Sequence, residues 1–550
     1  MCGIIVLRNT EVSETALQAA LTALQARGPD AQVATVNPDG RTGFGFTRLH
    51  VQGGGDIHGT MEQPFRLQDG RLVMVNGEIF NSDILIRQLA LVVPAGASDC
   101  AVVAALLERG LPLEVVCHQL DGDFAIVVLD PATGHVELAR DPYGVRPLFY
   151  TGNGKAIASE LKGIVAAVGQ NETGEIHGVE PGTVVRLMSG DPVITTWHQV
   201  PWLKVPLWRT SLECLATGGQ TLAHALEEAV AKRLTTRRAV GACLSGGLDS
   251  SLVAAIAARR LAAAGKDPLH TYSVGMAGSP DLEHARLVAA HIGSIHHERI
   301  LTPEECLAII PTVVKAIESF DITTVRASVG NYFVGELVAT ATPEVKVVLN
   351  GDGADEVLGG YLYMRAAPDD AAFEAETDRL LAEIHRYDVL RSERSMAAHG
   401  LESRSPFLDR QFVAVARALP TEALRPSATM MEKSILRTAF AHTGLLPDAV
   451  LWRRKEAFSD GISRAEKSWF EMARAEGERQ AGGDWRSVAA TYTVNPPPTA
   501  EALWYRQLWA AAGYPEGAAA AIAPAMWMPR FVAGATDPSA RTLTTLYSSP

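Results

Sequence analysis

A multidomain α/β chain is predicted by three features of the sequence. Short, turn-bounded strands dominate residues 2–200; continuous apolar strands alternate with Ala-rich helices over residues 215–510; and two glycine-rich loops each join an apolar strand to a helix. At 550 residues the chain exceeds what one hydrophobic core serves, so two large domains are expected. The first reads as stacked sheets flanked by helices and the second as a doubly wound parallel α/β domain. Residues 511–550 form an Ala/Gly/Pro-rich tail expected to be partly irregular.

In the first half, residues 43–48, 72–76, 124–129 and 136–139 read as strands, several bounded by Gly, Asp or Pro. Leu17, Leu21 and Leu24 recur at helical spacing between a cap at Ser13 and Gly28, and Ser98-Asp99 begins a second helix through Leu107. Beyond a Trp- and Pro-containing connector at 196–212, residues 240–244, 271–274 and 345–349 are apolar without alternation, the pattern of parallel strands buried on both faces. The charged run 374–394 reads as a solvated helical face. His296-His297-Glu298 lacks the His-Glu-x-x-His spacing of a metal site and reads as a strand, while Cys243 reads as core.

Composition narrows the function classes. Hydrophobic residues make up 47% and charged residues 20%, with no apolar run long enough to cross a bilayer. A net charge of −13 disfavours nonspecific binding to nucleic acid or an anionic membrane, since both are polyanions, and small-molecule partners fit better. Six scattered cysteines with no Cys-x-x-Cys pair argue against a zinc ribbon or disulfide framework, and no basic stretch followed by an apolar run marks a secretory signal. A cytoplasmic location is therefore expected. A homodimer is compatible with the sequence, which does not set the oligomeric state.

Removal of Met1 would leave Cys2 with both a thiol and a free α-amine of ordinary pKa ~7.7–8.0, a nucleophile and its general base on one residue. A lone cysteine at position 2 is more often an edge-strand residue; the other segments change the weighting. Arg27-Gly28-Pro29-Asp30, Thr47-Arg48-Leu49, Asn76-Gly77-Glu78-Ile79-Phe80-Asn81 and Ser98-Asp99 set polar groups at glycines and strand ends. Together they supply what a glutamine substrate needs: Arg48 for the α-carboxylate, Glu78 and Asp99 for the α-ammonium, and Asn76 with the Gly77 amide for an oxyanion.

These segments resemble the class II glutamine amidotransferases, which begin Met-Cys-Gly-Ile, and the likeness extends through Asp141-Pro142-Tyr143-Gly144-Val145-Arg146-Pro147-Leu148 and Ala158-Ser159-Glu160. The resemblance implies an N-terminal-nucleophile (Ntn) hydrolase αββα sandwich over 2–200, with Cys2, Asn76 and Gly77 catalytic. It implies glutamine held by Arg48, Leu49, His50, Val51, Gln52, Asn76, Gly77, Glu78 and Asp99. Ala26 stands where that family usually has histidine, which touches local positioning only.

In the second half, Ser245-Gly246-Gly247-Leu248-Asp249-Ser250-Ser251 follows the strand 240–244 and precedes a helix over 252–261. This context suits a phosphate cradle, because glycines admit the backbone and the helix N-terminus favours negative charge. No Gly-Lys-Ser/Thr follows, so γ-phosphate transfer is not expected. Asn350-Gly351-Asp352-Gly353-Ala354-Asp355-Glu356 follows the strand 345–349 and should open on the same sheet edge, so Asp249 and Asp355 can share Mg²⁺.

The first loop resembles the pyrophosphate loop of the ATP pyrophosphatases, which make acyl-adenylates. The surrounding segments resemble the synthetase domain of asparagine synthetases: Ser273-Val274-Gly275, Gly278-Ser279-Pro280-Asp281-Leu282, Asp321-Ile322-Thr323-Thr324-Val325-Arg326-Ala327-Ser328, Gly359-Gly360-Tyr361, and 400–409. The likeness continues in Met431-Glu432-Lys433, 454–461 and Asp537-Pro538-Ser539. It implies ATP at Leu244, Ser245, Gly246, Gly247, Asp249, Ser250, Val274, Asn350 and Gly351, and the adenylate steadied by Lys455. It places aspartate near Thr324, Arg326 and Asp352, with Asp352 and Lys455 catalytic. The whole chain thus resembles the glutamine-hydrolysing asparagine synthetases, which implies glutamine, ATP and aspartate as substrates, a β-aspartyl-AMP intermediate and channelled ammonia. The chemistry is coherent: AMP makes a carboxylate electrophilic, and shielding keeps ammonia from the protonation it undergoes in neutral water.

One departure stands out. Asparagine synthetases usually have Ser-Gly-Glu where this chain has Asn350-Gly351-Asp352, so the Asp352 carboxylate is one methylene shorter, falling roughly 1.5 Å short of the usual position unless the loop shifts. Compensation by Asn350 and the local backbone is expected. Two other readings stay open: an amidotransferase acting on another carboxylate, and a glutaminase whose synthetase half is non-catalytic.

Overall fold

The computed structural model describes residues 1–53, 63–203, 217–427, 430–454 and 468–532. They divide into two units: Met1–Gln199 with Met396–Glu402 and Leu508–Ala525, and Val200–Ser395 with Ser403–Gln507 and Met526–Pro550.

In the first unit the strand expected at 72–76 runs to Ile79 and is buried on both faces, which requires a layer on each side. The unit's strands are β1 (Gly3–Arg8), β2 (Ala31–Val36), β3 (Thr42–Arg48), β4 (Phe65–Arg66), β5 (Leu72–Ile79), β6 (Gly122–Leu129), β7 (Val136–Arg140), β8 (Phe149–Thr151), β9 (Ala156–Ala158), β10 (Ile176–Gly178), β11 (Thr183–Leu187) and β12 (Val193–Thr196). They form two six-stranded sheets, ordered β10-β8-β9-β1-β3-β2 and β12-β11-β7-β6-β5-β4. Ile4, Val6, Phe44 and Phe46 of the first sheet pack against Leu72, Met74, Val127 and Leu138 of the second. The alternate residues Val73, Val75, Ile126 and Val128 face Leu106, Leu107 and Val116 on the helices Ala101–Glu108 and Leu113–Gln119. Each such side chain, fully buried, contributes about 1.5–3 kcal/mol. The helix of residues 14–24, capped by Ser13 as expected, covers the first sheet through Leu21, so the layers run αββα.

The helix expected to start at Ser98-Asp99 begins at Ala101 instead. Residues 98–100 make a turn, and the Asp99 carboxylate accepts the Ile79 N–H rather than capping the helix. The tail expected to be partly irregular carries a 3₁₀ turn at Glu516–Ala518 and a short helix at Ala519–Ile522. Its residues through Ala525 belong to the first unit, where Gly517 lies against the Gly174 carbonyl so that an added Cβ would approach to 2.3 Å.

The second unit is built on β13 (Ala239–Cys243), β14 (His270–Met276), β15 (Ile295–Leu301), β16 (Val345–Leu349) and β17 (Glu402–Arg404), in the order β15-β14-β13-β16-β17. β13 pairs in parallel with both β14 and β16, so the order reverses between β13 and β16. That switch point is where ligands sit in such sheets. Both glycine-rich loops leave the carboxyl ends of these two strands.

The charged run 374–394 is corrected by the structure. It folds as helices Asp370–Glu383 and Asp388–Ala397 joined by a 3₁₀ turn, and Glu376, Glu393 and Arg394 are fully buried in it. Arg394 pairs with buried Glu318, so these charges stay inside because they are partnered. His297 lies on β15 as read, with its Nε2 2.9 Å from His270 Nδ1. Among the described residues no group of three His, Cys, Asp or Glu side chains is arranged to hold a metal ion, and no helix is long and apolar enough to cross a membrane.

Candidate active sites

β1 starts directly after Cys2 and is tied to the strand-end loops around it. The Cys2 N–H donates to Asn76 Oδ1 at 2.8 Å, and its carbonyl accepts Arg27 Nε at 2.9 Å. Arg27 is held in turn by buried Glu160 at 2.6 Å. Asn76 is completely buried, and among the described residues its Nδ2 has no hydrogen-bond acceptor, a donor held in reserve on the residue bonded to Cys2. Gly77 lies so close to β6 that a Cβ would fall 2.1 Å from the Asp123 carbonyl. Glu78 is buried opposite Asp123 in the β5–β6 register.

Arg48 ends β3, buried, with Nη2 3.4 Å from the Gln52 carbonyl. The segment Arg27-Gly28-Pro29-Asp30 shapes this corner. Gly28 leaves no room for a Cβ beside the Arg48 amide, the Asp30 N–H donates to the Arg48 carbonyl, and the Asp30 carboxylate accepts the His50 N–H at 2.7 Å. Leu49 and Val51 are buried within it. Desolvation pushes the Cys2 thiol pKa up, opposed by the nearby terminal ammonium, the Leu49 backbone N–H and Arg48. The Met1 ammonium itself pairs with buried Glu402 at 2.9 Å.

In the second unit, β13 delivers Leu244 and the loop 245–247 to the helix Leu248–Ala263. Gly246 has φ +72° and packs where a Cβ would meet the Ala285 amide at 2.5 Å. Its carbonyl accepts Arg453 Nη1 at 3.1 Å, and Arg453 Nη2 pairs with Asp281 at 2.7 Å. Within the loop, the Ser245 N–H donates to Ser250 Oγ and the Gly247 N–H to Ser245 Oγ. Val274 lies on neighbouring β14. The second loop touches the first, since a Cβ on Gly351 would lie 2.8 Å from the Ser250 amide. Asp249 Oδ2 and Asp355 Oδ1 converge on one cation, each 2.6 Å from Lys433 Nζ.

Asn350 forms the centre of the second loop. Its Nδ2 donates to Ser403 Oγ at 2.7 Å, and its Oδ1 accepts both Ser405 Oγ at 2.8 Å and the Asp352 N–H at 3.1 Å. The Asp352 carboxylate faces Arg391 Nη2 at 3.4 Å, and Arg391 is held by Asp388 at 2.6 Å. Beside them Glu356 is buried with its pKa pushed well up, first by desolvation and then by Asp388 and Asp355, while accepting the Tyr361 hydroxyl.

The structure thus gathers the residues expected around Cys2 into one unit and those of the two phosphate-loop segments into the other. Lys455 lies outside the described residues. Thr324 bonds Asp321 through its N–H and hydroxyl, both at 2.9 Å, as part of a helix cap. Arg326 forms a buried bidentate pair with Glu501 at 2.8 and 2.6 Å and lies over the Phe470 ring. Arg391, rather than Arg326, stands beside Asp352. Arg391 and Asp388 are hidden from sequence reasoning in the charged run, and neither Lys433, in the segment Met431-Glu432-Lys433, nor Arg453 carries a role there. If Arg326 serves the scaffold, Glu501→Ala should cost about 3–5 kcal/mol by stranding a buried charge, read as a lower urea midpoint. Unchanged stability with a raised KM for the acceptor acid would instead make Arg326 a substrate ligand.

An αββα unit led by a cysteine, joined to a doubly wound unit with a phosphate loop at its switch point, is the build of a glutamine amidotransferase coupled to an ATP-using synthetase. Comparison with known proteins agrees. The glutamine amidotransferase domain model matches residues 1–203, and the asparagine synthase model matches 221–377 and 365–521. The chain is 39% identical to the glutamine-hydrolysing asparagine synthetase of Gallus gallus, over 99% of this chain and 98% of that protein. It is 38% identical to those of Cricetulus griseus and Homo sapiens, over 99% of both chains in each case. The chain belongs to the asparagine synthetase family.

Proposed function

We propose that this enzyme converts ATP, L-aspartate, L-glutamine and water to AMP, diphosphate, L-asparagine and L-glutamate. With Met1 removed, the Cys2 amine takes the thiol proton, and the sulfur attacks the glutamine amide carbon. Asn76 Nδ2 and the Gly77 N–H stabilise the oxyanion, ammonia leaves, and water hydrolyses the thioester to glutamate. A reduced Cys2 suits a cytoplasmic location.

In the second unit an aspartate β-carboxylate oxygen attacks the ATP α-phosphorus and diphosphate departs, giving β-aspartyl-AMP. Ammonia passed on without equilibrating with solvent then attacks the acyl carbon, and AMP leaves. The loop 245–247, opening on the N-terminus of the helix Leu248–Ala263, would receive the phosphates, and Asp249 and Asp355 are the residues that would hold Mg²⁺, which would offset charge on the departing diphosphate. Two carboxylates converging on one cation from adjacent loops fit that role.

The observation that carries the acceptor assignment is the Asn350 turn. Its Oδ1 takes the Asp352 N–H, and the two serines of residues 403–405 lock its amide, so the longer side chain at 350 sets the backbone at 352. The shorter acid is thereby matched to its own loop, and L-aspartate remains the expected acceptor. Asp352→Glu and Asn350→Ser, each alone, should lower aspartate-dependent diphosphate release by on the order of 10- to 100-fold through misplacement. The double change, which restores the usual Ser-Gly-Glu, should recover most of it. A different acid preferred by the natural protein, with aspartate gained only on restoring glutamate, would overturn the assignment and favour the alternative of another carboxylate substrate.

A further inference from the structure

The Lys433 ammonium is fully buried, and the two carboxylates it touches are those proposed to hold metal. Both carboxylate oxygens lie 2.6 Å from the same nitrogen, so they are no farther apart than twice that distance. Two negative charges that close and largely removed from water require a cation between them. The surroundings are shaped to bring this one in. Gly360 sits where a Cβ would come within 2.2 Å of both Asp355 Oδ1 and Lys433 Cε, so only a hydrogen leaves the approach open. Lys433 itself takes φ +56°, a left-handed backbone that a non-glycine residue adopts only when its surroundings impose it.

We propose that Lys433 is the resident counter-ion of Asp249 and Asp355 in the nucleotide-free enzyme, keeps divalent metal off the pair, and yields only when nucleotide phosphates arrive with the metal. This rests on the reading of those aspartates as metal ligands. Metal and ammonium compete for the same oxygens, Asp249 Oδ2 and Asp355 Oδ1. A bare divalent ion must evict a buried ammonium from both of its carboxylates and brings no anion to receive it. Phosphate oxygens cradled by the loop 245–247 supply that anion, so displacement becomes favourable only when phosphate and metal enter together. Lys433 is thus a positioning residue that orders the loading of the site.

The test is Mn²⁺ binding to the full chain, followed by electron paramagnetic resonance with and without diphosphate, for the natural protein, Lys433→Met and Lys433→Arg. Without diphosphate, Lys433→Met is expected to bind Mn²⁺ at least about 10-fold tighter than the natural protein, and its thermal midpoint should rise on Mn²⁺ addition. Lys433→Arg should behave as the natural protein does, and the natural protein should reach comparable affinity only with diphosphate. Crystals of the natural protein soaked in Mn²⁺ alone provide a second measurement that does not depend on the variants folding: Lys433 should remain between the carboxylates with no anomalous peak there. Mn²⁺ bound to the nucleotide-free natural protein as tightly as to Lys433→Met, or a peak at Asp249 and Asp355 in the soaked crystal, would overturn the proposal. Absence of Mn²⁺ binding in every form, diphosphate included, would overturn the metal assignment of the aspartates itself.

Discussion

Cys2→Ala is expected to abolish glutamine-dependent asparagine formation, by on the order of 10⁴-fold or more, while leaving synthesis from ammonium salts near the natural rate. The change removes one sulfur and little else. The Cys2 N–H bond to Asn76 and the carbonyl bond from Arg27 are made by the backbone and survive, so β1 stays anchored. Every group proposed to act on ATP and aspartate belongs to the other unit. Only the nitrogen source is cut. The measurement is asparagine formed from glutamine and from ammonium chloride by the same preparation, and equal loss of both would refute the division of labour.

The second large effect is expected at the phosphate loop. Asp249→Asn keeps the side-chain shape but removes one of two charges proposed to share the metal, so diphosphate release should fall by on the order of 10²- to 10³-fold. Glutamine hydrolysis should persist, because Cys2, Asn76 and Arg48 lie in a unit this change does not enter. The same substitution also loosens Lys433, which keeps Asp355 as its remaining partner. Diphosphate release unchanged from the natural rate would remove Asp249 from the metal site.

Much of this was legible in the sequence wherever the signal is local. The short apolar run 345–349, bounded by a glycine-containing turn, reads as a strand buried on both faces, and the structure places it inside the parallel sheet; 72–76, read as a turn-bounded strand, is a strand too. The same holds for the loop after β13, whose glycines make sense only if backbone must come close to something. Long-range pairing of charge was not legible. Lys433 reaches Asp249 across 184 positions, and Arg326 reaches Glu501 across 175, with no local pattern to announce either. The run 374–394 looked solvated because composition cannot separate a charge facing water from one facing a partner. Arg391 and Asp388 were lost with it. Likewise, nothing in the composition of residues 396–402 assigns them to the first unit; buried Glu402 pairs there with the terminal ammonium and with Arg146, and Gly400 lies against Pro29.

Asn350 is a different case, because sequence alone marked it as unusual and predicted compensation without showing how. In the structure the Asn350 amide spans Ser403, Ser405 and the Asp352 backbone, and this is the means proposed for the compensation. A buried polar network of this kind is costly when only partly satisfied, which is why the single substitutions are expected to do more harm than the pair.

The most direct test of the central claim is one reaction: purified protein with glutamine, ATP, Mg²⁺ and L-aspartate, followed simultaneously for asparagine, glutamate, AMP and diphosphate. Asparagine, AMP and diphosphate are expected in equal amounts, with asparagine formation lost when aspartate is withheld. Glutamate formed from glutamine with no AMP or diphosphate from aspartate, or from any other acid supplied, would contradict it and leave a glutaminase with a non-catalytic second unit.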